Sequence, residues 1–344
     1  MANRIYQGKV FAVAPMLDWT DRHCRYFHRL LTSEALLYSE MVVTQAVIHG
    51  KRDRLLGFDR VEHPIALQLG GADPGQLAES ARIGAGFGYD EININVGCPS
   101  DRVQSGTFGA CLMLEPAIVA RGVAAMKAAV DLPVTVKCRI GVDDQDSEIA
   151  LDELAQRVID AGADALWVHA RKAWLKGLSP RANRDIPPLD HDRVYRLKQK
   201  FPDVFIGING GIGSLAEAAG HLGHVDGVML GRAAYHEPAL LAGVDSLVYG
   251  KPEKAIDWLD IRDRMMAYAG RHIAAGGRLN QVTRHMLGLF AGRPGARRYR
   301  QILSTETTRL GAGPDIIQAA FAAVDFSDGE ASDPADRPAS RLLG

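Results

Sequence analysis

Between Phe11 and Arg232 the chain alternates between two kinds of segment. Short apolar, β-branched runs end in Gly, Pro, Asn or a charge: Phe11–Met16, Ala35–Met41, Ile65–Gly71, Glu91–Gly97, Val134–Ile140, Ala165–Arg171, Phe205–Gly211 and Gly227–Arg232. Between them lie Ala/Leu-rich stretches with apolar residues at helical spacing, such as Gly75–Ala85, Pro116–Val130, Glu148–Ala161 and Leu215–Leu222. Strand–helix alternation predicts parallel strands joined by right-handed crossovers. The strand runs are largely apolar, as expected where both faces of a sheet are covered. Eight such units predict an α/β fold, a (β/α)8 TIM barrel; an open doubly wound sheet would want a G-x-G-x-x-G turn after the first strand, and none follows Phe11–Met16. Beyond about Leu241 the strand-like runs stop, and Asp257–Ala275, Asn280–Phe290, Gly295–Leu310 and Pro314–Val324 read as helices. The expected organisation is a catalytic barrel at 1–244, a small all-helical domain at 245–326 and a disordered, Asp/Ser/Pro-rich tail at 327–344.

Composition narrows the class. Of 344 residues, 47% are apolar and 24% charged, which excludes a chain that is disordered throughout. No stretch approaches the roughly 18 apolar residues of a membrane span, and Met1–Lys9 lacks the apolar core of a secretory signal, so a cytoplasmic location is expected. Four cysteines without a C-x-x-C pair suggest neither a disulfide framework nor zinc, and no metal is expected. Cys111, Cys138 and Cys24 read as buried small hydrophobes. The net charge of −1 hides an asymmetry: Arg271–Arg309 carries eight arginines against the single acid Glu306, a local excess of +7. Local sign governs which partners a surface attracts.

Barrel active sites lie at the C-terminal strand ends, and these ends carry residues a folding argument alone would not choose: Pro15-Met16-Leu17, Glu40, Gln68, Asn95 with Cys98, Lys137 with Arg139, His169 with Arg171, Asn209-Gly210-Gly211 and Gly231-Arg232. The glycines after strands seven and eight suit an anion or phosphate. Gln68, Lys137 and His169 move that reading toward a flavin: an ammonium suits the electron-rich N1–C2=O edge of the ring, an amide its N3–C4=O edge, and Pro15-Met16-Leu17 its apolar face. A barrel ion pair remains an alternative for Lys137, and a buried structural histidine for His169. Asn95-Val96-Gly97-Cys98-Pro99-Ser100 sets a thiol on a loop at the barrel mouth, where it can act as nucleophile or general acid.

These blocks resemble the tRNA-dihydrouridine synthases, in particular their DusA subfamily, over about residues 5–325. The resemblance rests on Ala14–Arg25, Ala66–Gly71, Glu91–Ser100, Val136–Gly141, Val168–Leu175, Asn209–Ile212 and Gly231-Arg232. It implies an FMN-containing barrel with an appended helical domain, reducing uridine to 5,6-dihydrouridine in the tRNA D-loop at position 20, often with 20a. The implied FMN contacts are Pro15, Met16, Leu17, Gln68, Lys137, His169, Asn209, Gly210, Gly211, Gly231 and Arg232. The implied proton donor is Cys98, and the implied tRNA contacts are Asn95, Arg181, Arg184, Arg297 and Arg300. The last two stand at i, i+3, on one helix face. Tyr299 beside them is a candidate to stack on a splayed base.

With no second nucleotide fold in the sequence, NADPH and tRNA are expected to visit one flavin face in turn. Hydride would pass to uracil C6 and a proton from Cys98 to C5, with Asn95 and Arg139 holding the extruded base. Three rivals remain: a dihydroorotate dehydrogenase-like barrel acting on a free pyrimidine, a flavin-free lyase or synthase of a phosphorylated metabolite, and an RNA-binding module without catalysis. The expected partners are tRNA and NADPH, with the chain acting as a monomer.

Overall fold

The computed structural model of the chain describes residues 5–100 and 108–326. These fall into two compact units, one ending at Asp257 and one beginning at Trp258.

The first unit is a closed barrel of eight parallel strands in sequence order: β1 Val10–Val13, β2 Leu36–Val43, β3 Ile65–Gly70, β4 Glu91–Val96, β5 Val134–Arg139, β6 Ala165–His169, β7 Phe205–Asn209 and β8 Gly227–Leu230. The last strand returns to the first, with Ala12 level with Met229 and Val13 with Leu230. Crossover helices include Pro74–Phe87, Pro116–Lys127, Ser147–Asp160, His191–Lys200 and Leu215–Leu222. Their starts follow from local chemistry. Asp73, Asp146, Asp190 and Ser214 each accept a first-turn backbone N–H, and proline occupies an opening position in two of the helices. β1 is shorter than its apolar run, because Pro15 offers no N–H and the chain turns at Met16, whose carbonyl accepts from Trp19 and Thr20.

The lower barrel is filled rather than hollow. Trp167, Tyr38, Phe205, Ala66 and Met229 form a buried cluster, with Tyr6 packed against it. Trp167 fits because β7 carries Gly207, where a Cβ would stand 2.2 Å from the indole.

The boundary expected at 244/245 lies instead at Asp257/Trp258. The short helix Val244–Tyr249 belongs to the first unit. Tyr249 Oη accepts the Phe11 N–H at 3.0 Å, and the Asp245 carboxylate accepts the Ser33 N–H at 2.7 Å.

The second unit contains helices Trp258–Ala274, Leu279–Thr283, Ala296–Thr305 and Asp315–Phe321 around Phe290, Tyr299 and Phe321. The helix expected over Asn280–Phe290 stops at Thr283. The following residues make tighter turns, and the Tyr299 hydroxyl donates to the Met286 carbonyl at 3.1 Å, engaging an acceptor a continuing helix would use. Tyr299 is therefore fully buried and has no face for a base, which corrects the stacking expectation. All eight arginines between Arg271 and Arg309 are exposed, with Arg297 and Arg300 on the outer face of Ala296–Thr305. The expected tail, 327–344, lies outside the described residues. No helix among the described residues is long and apolar enough to cross a membrane.

Candidate active site

The C-terminal ends of the strands open on a cleft of about 720 Å³, lined by Pro15, Met16, Leu17, Gln68, Asn95, Cys98, Lys137, Arg139, His169, Arg184, Asn209, Gly210, Gly211, Gly231 and Arg232. Of the residues expected at the barrel mouth, three do not line it: Glu40 accepts the Asp18 N–H, Arg171 donates to the Asp185 and Pro187 carbonyls, and Arg181 is exposed at the edge of the short turn Ala182–Arg184. Arg297 and Arg300 belong to the second unit.

Each strand end is shaped by its own sequence. After β1, Thr20 Oγ1 accepts the Met16 N–H at 3.0 Å, and the Glu40 carboxylate accepts the Asp18 N–H at 2.5 Å, where Asp18 sits at φ 64°. That left-handed residue turns Leu17 outward, 67% exposed at the cleft rim. Glu40, noted in sequence only as a charge at a strand end, thereby acquires a task; burial raises its carboxyl above the ordinary range.

Cations gather at the mouths of β5 and β6. The Lys137 ammonium donates to Asn209 Oδ1 at 3.1 Å, and the Asn209 amide donates to the Met229 carbonyl at 2.7 Å. Burial, with Arg139 nearby, lowers Lys137 to about 8. His169 is pushed well below its usual value, first by burial and then by Arg139, Lys137, Arg171 and Arg232, so the ring is neutral. Arg139 is buried, and its guanidinium donates to three backbone carbonyls: Gly97 at 2.8 Å, Lys172 at 2.9 Å and Asn183 at 3.0 Å. It ties the loop after β4 to the loop after β6 while still lining the cleft.

The phosphate-type loops also have a local cause. Gly210 and Gly211 stand at φ 110° and 76°. A Cβ on Gly210 would lie 2.3 Å from His169 Cδ2, so only glycine lets this loop close on the histidine. The His191 ring nitrogen meets the Gly210 carbonyl at 2.8 Å.

The Cys98 loop hangs from Asn95. The Asn95 amide oxygen accepts N–H bonds from Gly97 at 3.0 Å and Cys98 at 2.9 Å, and its nitrogen donates to Gln68 Oε1 at 2.8 Å. The Cys98 carbonyl accepts from Ala110 at 2.9 Å. The other cysteines divide: Cys24 and Cys138 are buried as expected, whereas Cys111 is half-buried with its thiol donating to the Phe108 carbonyl at 3.1 Å.

Three supporting residues were missed in sequence. Asn183 is wholly buried and holds the Trp174–Arg184 loop, accepting the Trp174 N–H and donating to the Trp174 and Leu178 carbonyls. Asn93 and Thr135 link Gln68 to the barrel interior. The signal for Asn93 was available: Glu91, Asn93 and Asn95 alternate with apolar residues along β4, a period of two that aims all three inward.

The donor set fits a flat, anionic heteroaromatic carrying a phosphate. Met16, Met41 and Met229 give the cleft apolar walls, Lys137 and Gln68 offer donors at its depth, and the glycine loops with Arg232 offer an anion site above. Among the described residues, no cluster of three or more His, Cys, Asp or Glu could hold a metal ion.

Comparison with known proteins agrees with this geometry. The family model described as "Dihydrouridine synthase (Dus)" matches residues 12–324. The chain is 54% identical over 316 residues to a tRNA-dihydrouridine(20/20a) synthase of Shewanella oneidensis, covering 92% of this chain and 94% of that protein. It is 55% identical over 314 residues to the protein of that name from Xanthomonas campestris pv. campestris, covering 91% and 93%. In fold alone it is similar to a 2-naphthoyl-CoA reductase (TM-score 0.55, 12% identity, 73% of this chain and 52% of that one). The old yellow enzyme homologue of Zymomonas mobilis gives a TM-score of 0.51 at 12% identity, over 74% of this chain and 92% of that one.

Proposed function

The chain belongs to the dihydrouridine synthase family, and from that premise we propose that it is a flavin-dependent oxidoreductase reducing uridine in the D-loop of tRNA to 5,6-dihydrouridine, at position 20 and also at 20a. The observation that carries the reading is the convergence of Cys98, Gln68, Asn95, Lys137 and His169 on one cleft beside two glycine loops. FMN is the proposed cofactor and NADPH the proposed reductant, in a monomeric, cytoplasmic enzyme.

FMN would be held by Pro15, Met16 and Leu17 against its ring, Gln68 and Lys137 at its polar edge, and His169, Asn209, Gly210, Gly211, Gly231 and Arg232 toward its phosphate. When bound it supplies hydride, taken from NADPH and given to C6 of the uracil. The chain's own residues do the rest. Cys98 holds the proton that C5 requires, on a loop fixed by Asn95 and Arg139. Lys137, charged at neutral pH and half-sheltered from water, stabilises negative charge at the ring edge. A neutral His169 places a hydrogen-bonding ring between the cations without adding to their repulsion. Arg139, Arg181 and Arg184 present positive charge to an extruded base and its phosphates, and removing the base from its stack costs a few kcal/mol. Arg297 and Arg300 supply phosphate contacts from the second unit, where affinity depends on salt. These arginines give tRNA a claim that a free pyrimidine lacks.

The test is direct. The purified chain is expected to be yellow and to form dihydrouridine at positions 20 and 20a when given unmodified tRNA and NADPH. Protein that takes up no flavin, or that reduces free uracil or orotate while leaving tRNA untouched, overturns the proposal.

A further inference from the structure

Glu91 is not among the residues that line the cleft, yet it stands at the start of β4 inside the barrel and is completely buried. It gathers three hydroxyl donors: Tyr6 and Tyr38, each at 2.5 Å, and Thr135. Trp167 Nε1, a group that only donates, meets the Tyr6 oxygen at 3.2 Å and so leaves the Tyr6 hydrogen directed at Glu91. Burial pushes the Glu91 carboxyl up to about 7, against three hydroxyl bonds that pull it down. Burying an acid costs stability unless hydrogen bonds satisfy it, and here three hydroxyls are committed to that task.

Its bonds continue upward in one direction. Thr135 Oγ1 donates to Glu91, and Asn93 Nδ2 donates to Thr135 Oγ1 at 2.7 Å. Gln68 Nε2 donates to Asn93 Oδ1 at 2.8 Å, and Asn95 Nδ2 donates to Gln68 Oε1 at 2.8 Å. Every side chain donates toward Glu91, and all five are buried. An amide whose nitrogen faces down must turn its oxygen up. The oxygen of Asn95 therefore meets the N–H groups of Gly97 and Cys98. Reversing the relay would set an NH₂ group against two N–H groups, and the loop would lose both bonds.

We propose that Glu91 is a positioning residue for Cys98: by accepting every bond at the base of the barrel it fixes the polarity of the Thr135–Asn93–Gln68–Asn95 relay, and so the seat of the Cys98 loop. The geometry is independent of any ligand; its catalytic meaning rests on the proposed function. Gln68 belongs to the same relay, so one of its amide hydrogens and one of its lone pairs are committed within the protein, and the orientation it shows a ligand is set from below.

Two breaks test this, one at the anchor and one in the middle. Glu91→Gln keeps the shape and introduces a donor where only acceptors fit. Thr135→Val removes one hydroxyl from the relay and leaves Glu91 in place, while Thr135→Ser restores the hydroxyl. The readout is the rate at which iodoacetamide labels Cys98 in the full chain, located by peptide mass spectrometry, in variants with native near-ultraviolet circular dichroism. Losing one hydrogen bond of ordinary strength frees the loop by about fivefold. The expected result is at least that change in labelling rate for Glu91→Gln and Thr135→Val, and the wild-type rate for Thr135→Ser. Dihydrouridine formation should fall in kcat with KM for tRNA held. Should Glu91→Gln fail to fold, the Val/Ser pair at Thr135 decides. Wild-type labelling in a folded Thr135→Val protein overturns the proposal. Labelling needs neither flavin nor tRNA, so altered rates in the variants of a protein whose wild type has no activity on tRNA would sink the proposed reaction and leave the relay standing.

Discussion

Lys137 gives the sharpest quantitative prediction, because its ammonium is already destabilised before any ligand arrives. Burial and Arg139 bring it to about 8 from an ordinary 10.5. An electron-rich ring edge beside the ammonium would restore the charged form and carry the value back toward 10.5, so binding takes up a proton between those limits. Below pH 8 the lysine is already charged and affinity is flat; above it each pH unit weakens binding tenfold. From pH 7 to pH 9 the FMN dissociation constant is expected to rise about tenfold, about 1.4 kcal/mol. The phosphate, whose second proton leaves near pH 6, does not contribute in that window. The apoprotein should respond with the opposite sign. Its folded Lys137 binds fewer protons than the unfolded chain between 8 and 10.5, so this residue makes the fold more stable as pH rises through that range. The assay is a titration of apoprotein with FMN, followed by quenching of flavin fluorescence, in wild type and Lys137→Met. The variant should bind more weakly and without the slope. A wild-type dissociation constant constant within twofold between pH 7 and 9, or the same slope in Lys137→Met, refutes the assignment.

Cys98→Ala should still bind FMN and oxidise NADPH at the wild-type rate while losing at least about 100-fold in dihydrouridine formation; undiminished product in a tRNA assay removes Cys98 as proton donor. Arg297→Ala with Arg300→Ala should weaken tRNA binding and reduce the slope of log K against log salt by about 2, with NADPH oxidation untouched, as measured by filter binding across a salt series. Gly210→Ala forces a Cβ to within 2.3 Å of His169 at φ 110°, a backbone cost of about 1–3 kcal/mol before the clash, so flavin affinity should fall at least tenfold. Unchanged FMN binding in that variant would show the loop to be more pliant than its geometry implies.

The barrel and its mouth were readable in sequence because the residues there are ones that packing would not select. Lys137, His169 and Asn209 end apolar runs, and parallel strands bring such ends to one rim. The supports were harder to see. Thr135 is an ordinary β-strand residue, and only the pairing of β4 with β5 sets it level with Asn93. Asn183 lies in an irregular segment whose worth depends on carbonyls nine and five residues back along the chain. Tyr299 misled by its neighbours: three arginines surround it in sequence, but at the helical period they turn outward as it turns in. The helix Val244–Tyr249 misled in the same way, since the contacts that assign it, to Phe11 and Ser33, are more than 200 residues distant.

Arg139 has a consequence for how such a protein can be altered. Because one guanidinium fastens Gly97 on one side and Lys172 and Asn183 on the other, the segments after β4 and β6 are not separable modules. The acceptors are backbone carbonyls, so a graft keeps the fastening only if it keeps the backbone path at Gly97, Lys172 and Asn183. Side chains on the thiol-bearing wall and the arginine-bearing wall are free to vary, while a shift in the backbone of either wall is felt by the guanidinium that also holds the other.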